Sequence, residues 1–97
     1  MIPLPINADL LAVAPRVIWF EDPHAALAQP ARFLAYLMTY GTAEDVAIVR
    51  RHVGAAAFEE SLANAPPGIM DARSWAYWHV MAGRYPPPPM PTRRLPD

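Results

Sequence analysis

The chain has 97 residues, a net charge of −1, eight arginines but no lysine, and no cysteine. Its length allows one domain at most, and the lack of cysteine excludes disulfides, Cys-ligated zinc and thiol catalysis. The near-neutral charge gives no general attraction to a nucleic-acid backbone. Because there is also no apolar run of about 18 residues and no basic leader, we expect a cytoplasmic protein with no membrane segment.

The first predicted element is a short helix within an N-terminal arm, residues 1–16. Asn7 is a good N-cap for a helix over Ala8 to Ala14. Pro15 is expected to end that helix because proline has no N–H to donate. The run Val17 to Phe20 is apolar, but it is too short for periodicity to distinguish a helix from a strand.

The next element is a helix that begins at Pro30, since proline is tolerated at a first helical position. Its apolar residues recur at spacings of one, three and four, which places them on one helical face. They are Phe33, Leu34, Leu37 and Met38. Gly41 is expected to end the helix in the left-handed conformation.

A second clear helix is predicted directly after Gly41. Thr42 is a good N-cap, and Asp45 occupies the capping-box position three residues later. Arg50 and Arg51 fall in the last turn, where the helix dipole favours positive charge. Gly54 is expected to end this helix.

Two more helices follow before the tail. The first spans Ala55 to Ala63 and is broken by the segment 64–68. Asp71 then caps a helix from Ala72 to Ala82, which Gly83 closes. Residues 17–83 are therefore predicted to form the helical domain.

The C-terminal segment 84–97 contains six prolines and is predicted to be an extended, polyproline-like tail. The fold class expected from all these signals is all-α. It is a small bundle of four to five short helices followed by the Pro-rich tail.

The residues that usually carry catalysis are scattered along the chain. The histidines His24, His52 and His79 do not stand at a metal-ligand spacing such as HxxxH. Glu59 and Glu60 are adjacent, so on a helix they would point about 100° apart rather than converge. No glycine-rich phosphate loop is present. We therefore predict no enzymatic activity, no cofactor and no metal site.

The last predicted helix and the tail after it are the best candidates for contact with another protein. Large apolar side chains on two faces of one helix indicate that the helix is central or half-buried against a partner. A polyproline segment is already extended, so it loses less entropy on docking than a flexible tail. Arginines in the tail can pair with carboxylates through forked hydrogen bonds. The predicted partner-binding residues are Trp75, Tyr77, Trp78, Tyr85, Met90, Arg93 and Arg94.

Three motifs occur in an order that resembles a known family. They are Trp19-Phe20-Glu21-Asp22, Tyr40-Gly41-Thr42-x-Glu44-Asp45 and Arg73-Ser74-Trp75-x-Tyr77-Trp78. They resemble small helical proteins encoded beside nucleotidyltransferase toxins of the AbiEii, or abortive-infection, type. The likeness covers residues 17–83, and the tail segment 89–94 extends it.

This resemblance implies an antitoxin of a type II toxin–antitoxin system. Such a protein binds and neutralises a partner toxin, here expected to be a nucleotidyltransferase. The family's motifs look structural, so the resemblance implies no catalytic residue.

A helix–turn–helix DNA-binding transcriptional regulator is the alternative interpretation. Gly41 and Thr42 would form the turn, and the helix that carries Arg50 would read the DNA. Glu44 and Asp45 argue against this alternative because they stand where base contacts are usually made. A structural subunit of a larger enzyme is a third class. It needs only an interaction surface, so the sequence does not separate it from an antitoxin.

Overall fold

The computed structural model describes residues 3–92, which form six α-helices and no strand. The helices are α1 (Ala8–Val17), α2 (Pro23–Leu27), α3 (Pro30–Tyr40), α4 (Ala43–Val53), α5 (Ala55–Ala63) and α6 (Ala72–Met81). The predicted all-α class is confirmed, with six helices in the described part of the chain where four to five were expected. None of these helices is long and apolar enough to cross a membrane.

Helix α3 lies at the centre of the core, because each of the other five helices packs against it. Its side chains Phe33, Leu34 and Leu37 are completely buried. Full burial of one such side chain is worth about 1.5–3 kcal/mol. The apolar stripe of α3 is therefore a main source of the stability of the fold.

Helix α1 continues through Pro15 to Val17, so the prediction that Pro15 ends it is wrong. Pro15 itself is exposed, while Ala14 and Val17 on either side of it are buried. Proline removes one backbone hydrogen bond, and the burial of its neighbours outweighs that loss. The N-cap was predicted correctly, since Asn7 Oδ1 accepts the backbone N–H of Leu10 at 3.0 Å.

Helix α2 was not predicted. Its N-cap is Asp22, whose carboxylate accepts the backbone N–H groups of His24 and Ala25. Pro23 takes the first helical position. An Asp-Pro pair is a helix start signal, but five residues are too few to show an apolar period. The helix is held by the complete burial of residues such as Leu27.

The joint between α3 and α4 differs from its prediction in one respect. Gly41 has φ −71° and ψ 152°, which is extended backbone, so the expected left-handed conformation is wrong. A Cβ at this position would lie 2.6 Å from the carbonyl oxygen of Leu37, so close approach is the reason for glycine. The predicted capping box of α4 is confirmed by reciprocal hydrogen bonds between Thr42 and Asp45.

The last helix ends where the chain turns into the tail. Asp71 caps α6 as predicted, with its Oδ1 accepting the backbone N–H of Ser74 at 2.7 Å. Gly83 has φ 78°, a left-handed conformation that closes the helix. The described part of the tail, residues 84–92, contains no helix or strand.

Candidate functional site

An open groove lies between the end of α3, the first turns of α4, and α6. Its volume is about 590 Å³. The residues that line it are Met38, Thr39, Gly41, Ala43, Val46, Arg50, Asp71, Arg73, Ser74, Tyr77, Trp78 and Met81. The motifs around Gly41 and Tyr77, which are far apart in the chain, therefore meet in one surface.

Trp78 attaches α6 to the body at the groove. Its indole N–H donates to the backbone carbonyl of Met38 at 2.9 Å. Met38 belongs to the last turn of α3, where carbonyls have no partner within the helix, so this bond completes the end of α3. The Trp78 ring also stacks on Phe58, with 5.6 Å between centroids and 15° between planes. The part of the ring that remains accessible forms an apolar wall of the groove.

The outer face of α6 is apolar and exposed. Tyr77, Val80 and Met81 are 56%, 50% and 60% exposed, and they stand at helical spacings of three and four. A helix on a globular body normally turns such a stripe inward. In α6 the inward positions are held by Trp75 and His79, which are both buried. The helix is therefore apolar on two sides, and one of them is bare.

Two arginines stand on the margin of this groove. Arg50 comes from α4 and Arg73 from α6, and within residues 3–92 neither forms an ion pair. Asp71 also lines the groove. The backbone N–H of Ser74, its hydroxyl and the charge of Arg73 lower the pKa of the Asp71 carboxyl. Asp71 caps α6, and within residues 3–92 neither guanidinium group forms an ion pair with it.

A smaller pocket of about 70 Å³ adjoins the groove where α6 packs beside α5. Phe58 and Leu62 of α5 line it, together with Met81. Arg50, Trp78 and Met81 line both this pocket and the groove. The apolar surface therefore continues from the groove towards α5.

The wall of the groove that α4 supplies is fixed by an ion pair with α1. Arg16 donates from Nε and Nη2 to Asp45 Oδ1, at 2.9 and 2.7 Å. Burial by itself would raise the pKa of Asp45, but the hydrogen bonds from Arg16 and Thr42 and the Arg16 charge hold it below its usual value. Asp45 is thus held in an ion pair within the protein.

An aromatic row on the surface leads towards the groove. Its rings are Trp19, Phe20, Tyr36 and Tyr40, with 5.5, 6.0 and 6.0 Å between successive centroids. Trp19 is 79% exposed, and Phe20 and Tyr40 are more than half exposed. Tyr40 directly precedes Gly41 of the groove. These rings were not among the predicted partner-binding residues, although the i, i+4 spacing of Tyr36 and Tyr40 on α3 was a usable signal.

The predicted partner-binding residues do not all lie together. Tyr77 and Trp78 line the groove, whereas Trp75 is buried on another face of α6. In the tail, Tyr85 is 80% exposed, and Met90 is half-buried against the core. The other two tail residues, Arg93 and Arg94, lie outside the described residues.

The histidines make local contacts rather than a common site. His52 Nε2 lies 2.9 Å from Asp9 Oδ2 and links α4 to α1, and the Nδ1 of buried His79 lies 2.8 Å from the carbonyl of Trp75. No group of three or more metal-ligating side chains occurs between residues 3 and 92. No family model, curated protein or solved structure matches this chain.

Proposed function

We propose that this chain is a cytoplasmic antitoxin that binds a partner toxin and neutralises it, with the groove and the outer face of α6 as its docking surface. The observation that carries the proposal is the bare apolar stripe of Tyr77, Val80 and Met81, each at least half exposed, beside the groove. A contiguous apolar surface with a charged margin is typical of protein–protein interaction sites.

The chemistry of the groove favours one kind of partner segment. Its walls include the apolar side chains of Val46, Trp78 and Met81, and its margin carries Arg50 and Arg73. An amphipathic helix in a groove inserts apolar side chains at helical spacing. A carboxylate on such a helix would gain charge-assisted hydrogen bonds from the guanidinium groups. The occupant is therefore a helix of the partner that carries both apolar anchors and acidic residues.

The three motifs that resemble antitoxins support a nucleotidyltransferase as that partner. The motifs around Gly41 and Tyr77 contribute residues to the groove, and the third contributes Trp19 and Phe20 to the aromatic row. Motifs that meet on one surface are expected when they serve one interface. The product of the adjacent gene is the first partner to test.

Binding of the purified neighbouring gene product should be measured by calorimetry with wild type, Met81→Asp and Ile6→Asp. The two substituted side chains are matched, since Met81 is 60% exposed and Ile6 is 53% exposed, but only Met81 lines the groove. A charge in the apolar centre of an interface should weaken binding by about tenfold or more. Ile6→Asp should bind like wild type, and only Met81→Asp should fail to rescue growth when the toxin is expressed.

Equal affinity of the two variants would place the interface away from the groove. In a second experiment, the DNA upstream of the chain's own gene is titrated with the protein. If the chain binds that DNA tightly and with strong salt dependence, but does not bind the neighbouring protein, then the regulator interpretation replaces the antitoxin.

A further inference from the structure

The tail turns back over the body and uses the buried side of α6. After the helix, the backbone N–H of Arg84 donates to the carbonyl of His79 at 2.8 Å. Farther along, the indole N–H of Trp75 donates to the backbone carbonyl of Pro88 at 2.7 Å. Met90 then packs against the core. With the tail in this place, Trp75 is only 6% exposed.

Part of the tail lies against the body. Pro87, Met90 and Pro91 are half-buried, while Pro88 and Pro89 are exposed. A polyproline II helix has three residues per turn, so residues three apart share one face. Pro87 and Met90 are three residues apart, so they share the face of the tail that lies on the body.

The hydrogen bond from Trp75 is well suited to a polyproline segment. Proline has no N–H, so the run Pro86 to Pro89 offers only carbonyl oxygens for hydrogen bonding. Recognition of this run therefore needs a hydrogen-bond donor that lies within an apolar surface. A tryptophan indole supplies the donor and the apolar surface together. The Trp75 ring is held by contact with the His79 ring, with 4.2 Å between centroids.

We propose that the Trp75 side of α6 is a binding site for proline-rich peptides, which the chain's own residues 86–90 occupy. A proline-rich segment of another protein would enter this site when the tail leaves it. Trp75 and Tyr77 lie about 200° apart around the helix. Neither Trp75 nor residues 86–90 line the groove, so the site is separate from it and does not depend on the antitoxin proposal.

A tethered tail competes strongly with any free peptide. For a short flexible connection the effective concentration of the tail is on the order of millimolar, and the external ligand must overcome this. A test of the site therefore requires a full-length chain in which the tail is loosened and Trp75 is intact. Met90→Asp meets this requirement because it places a charge on the face of the tail that contacts the body.

The experiment follows hydrogen exchange of the indole N–H groups by NMR in the full-length chain with ¹⁵N-labelled tryptophan. Met90→Asp should speed exchange at Trp75 by about tenfold or more, since the local opening then costs less. Trp78 is an internal control because its indole N–H is bonded to Met38 instead of the tail. Tyr85→Asp is the matched tail variant, since Tyr85 is 80% exposed, and it should behave like wild type.

A peptide with the sequence of residues 84–92 is then added to the Met90→Asp protein. It should slow exchange at Trp75 again and shift the Trp75 indole signal, and the same peptide with all prolines replaced by alanine should do neither. Equal exchange at Trp75 in wild type and Met90→Asp, or equal binding of the two peptides, would overturn the proposal. If Met90→Asp also loses protection at Trp78, the body itself has opened, and Met90→Ala is tested in its place by the same criteria.

Discussion

Helices α3 and α6 are nearly equal in length and both are rich in apolar residues, yet they use those residues differently. In α3 most of the large apolar groups fall on one face, where Phe33, Leu34 and Leu37 are completely buried, and Tyr40 is its one large apolar side chain that is more than half exposed. In α6 they are distributed around the helix. Trp75 faces the core, while Tyr77 and Met81 face solvent. An apolar stripe on one face of a helix can be buried completely within the chain. A helix with apolar side chains on two faces leaves one of them exposed, where another molecule can bind.

The difference also shows in how each helix is held. All five other helices pack on α3. Helix α6 packs on α3 and is further attached through single groups, such as the Trp78 indole bonded to Met38 and the Trp75 indole bonded to the tail. Stability is therefore concentrated around α3, and the surfaces available for binding are concentrated around α6. Substitutions in the two helices should affect different measurements.

The largest expected effect is the loss of a buried ring from α3. Phe33→Ala should lower the free energy of unfolding by about 3–5 kcal/mol because it leaves a cavity in the core. The matched substitution on α6 is Tyr77→Ala, which removes a ring that is 56% exposed and should change stability by only about 0.5 kcal/mol. Urea unfolding followed by circular dichroism measures both values. Similar losses of unfolding free energy for the two variants would mean that the outer face of α6 contributes as much to stability as a core side chain does.

A smaller effect is expected at the ion pair that fixes α4 to α1. Asp45→Asn removes the charge that Arg16 binds and weakens the capping box, and it should cost about 1–2 kcal/mol at neutral pH. The expected loss of unfolding free energy is smaller than for a fully buried ion pair, because the Arg16 side chain is 50% exposed and its charge is screened by water. Asp22→Asn is the control, since Asp22 is also an N-cap but its side chain is 68% exposed and has no arginine partner within 4 Å in residues 3–92.

The same pair predicts how stability depends on pH. The folded protein holds the pKa of Asp45 below its usual value of 3.8. A carboxyl with a lowered pKa stabilises the fold above its unfolded pKa, and this contribution is lost as the pH falls through the lower, folded pKa. The difference between wild type and Asp45→Asn should therefore be constant from pH 7 to about pH 5 and shrink below about pH 4. A difference that is unchanged at pH 3 would show that the Asp45 charge contributes nothing.

The contrast between the two helices also separates what the sequence could predict from what it could not. The stripe of α3, the Thr42 capping box and the Asp71 cap are local patterns, and each was predicted correctly. The course of α1 through Pro15 depends on burial of its neighbours by distant residues, which no local pattern contains. The groove likewise forms only where residues from α3, α4 and α6 meet. Tyr77 was predicted to contact a partner from the pattern of its own helix, but no local pattern placed Arg50 on the same surface.

The smallest expected effect tests the link between the two helices directly. Trp78→Phe keeps an aromatic ring beside Phe58 but removes the N–H that completes the last turn of α3. The loss of one such hydrogen bond should cost about 1 kcal/mol. Trp19→Phe is the control, because Trp19 is 79% exposed and should be neutral. Hydrogen exchange of α6 amides should speed up in Trp78→Phe while α3 amides change little, because α3 is held by five helices. If the amides of α3 and α6 exchanged together, the hydrogen bond from Trp78 to Met38 would couple α6 to the core. A partner that binds Tyr77 would then stabilise the whole fold.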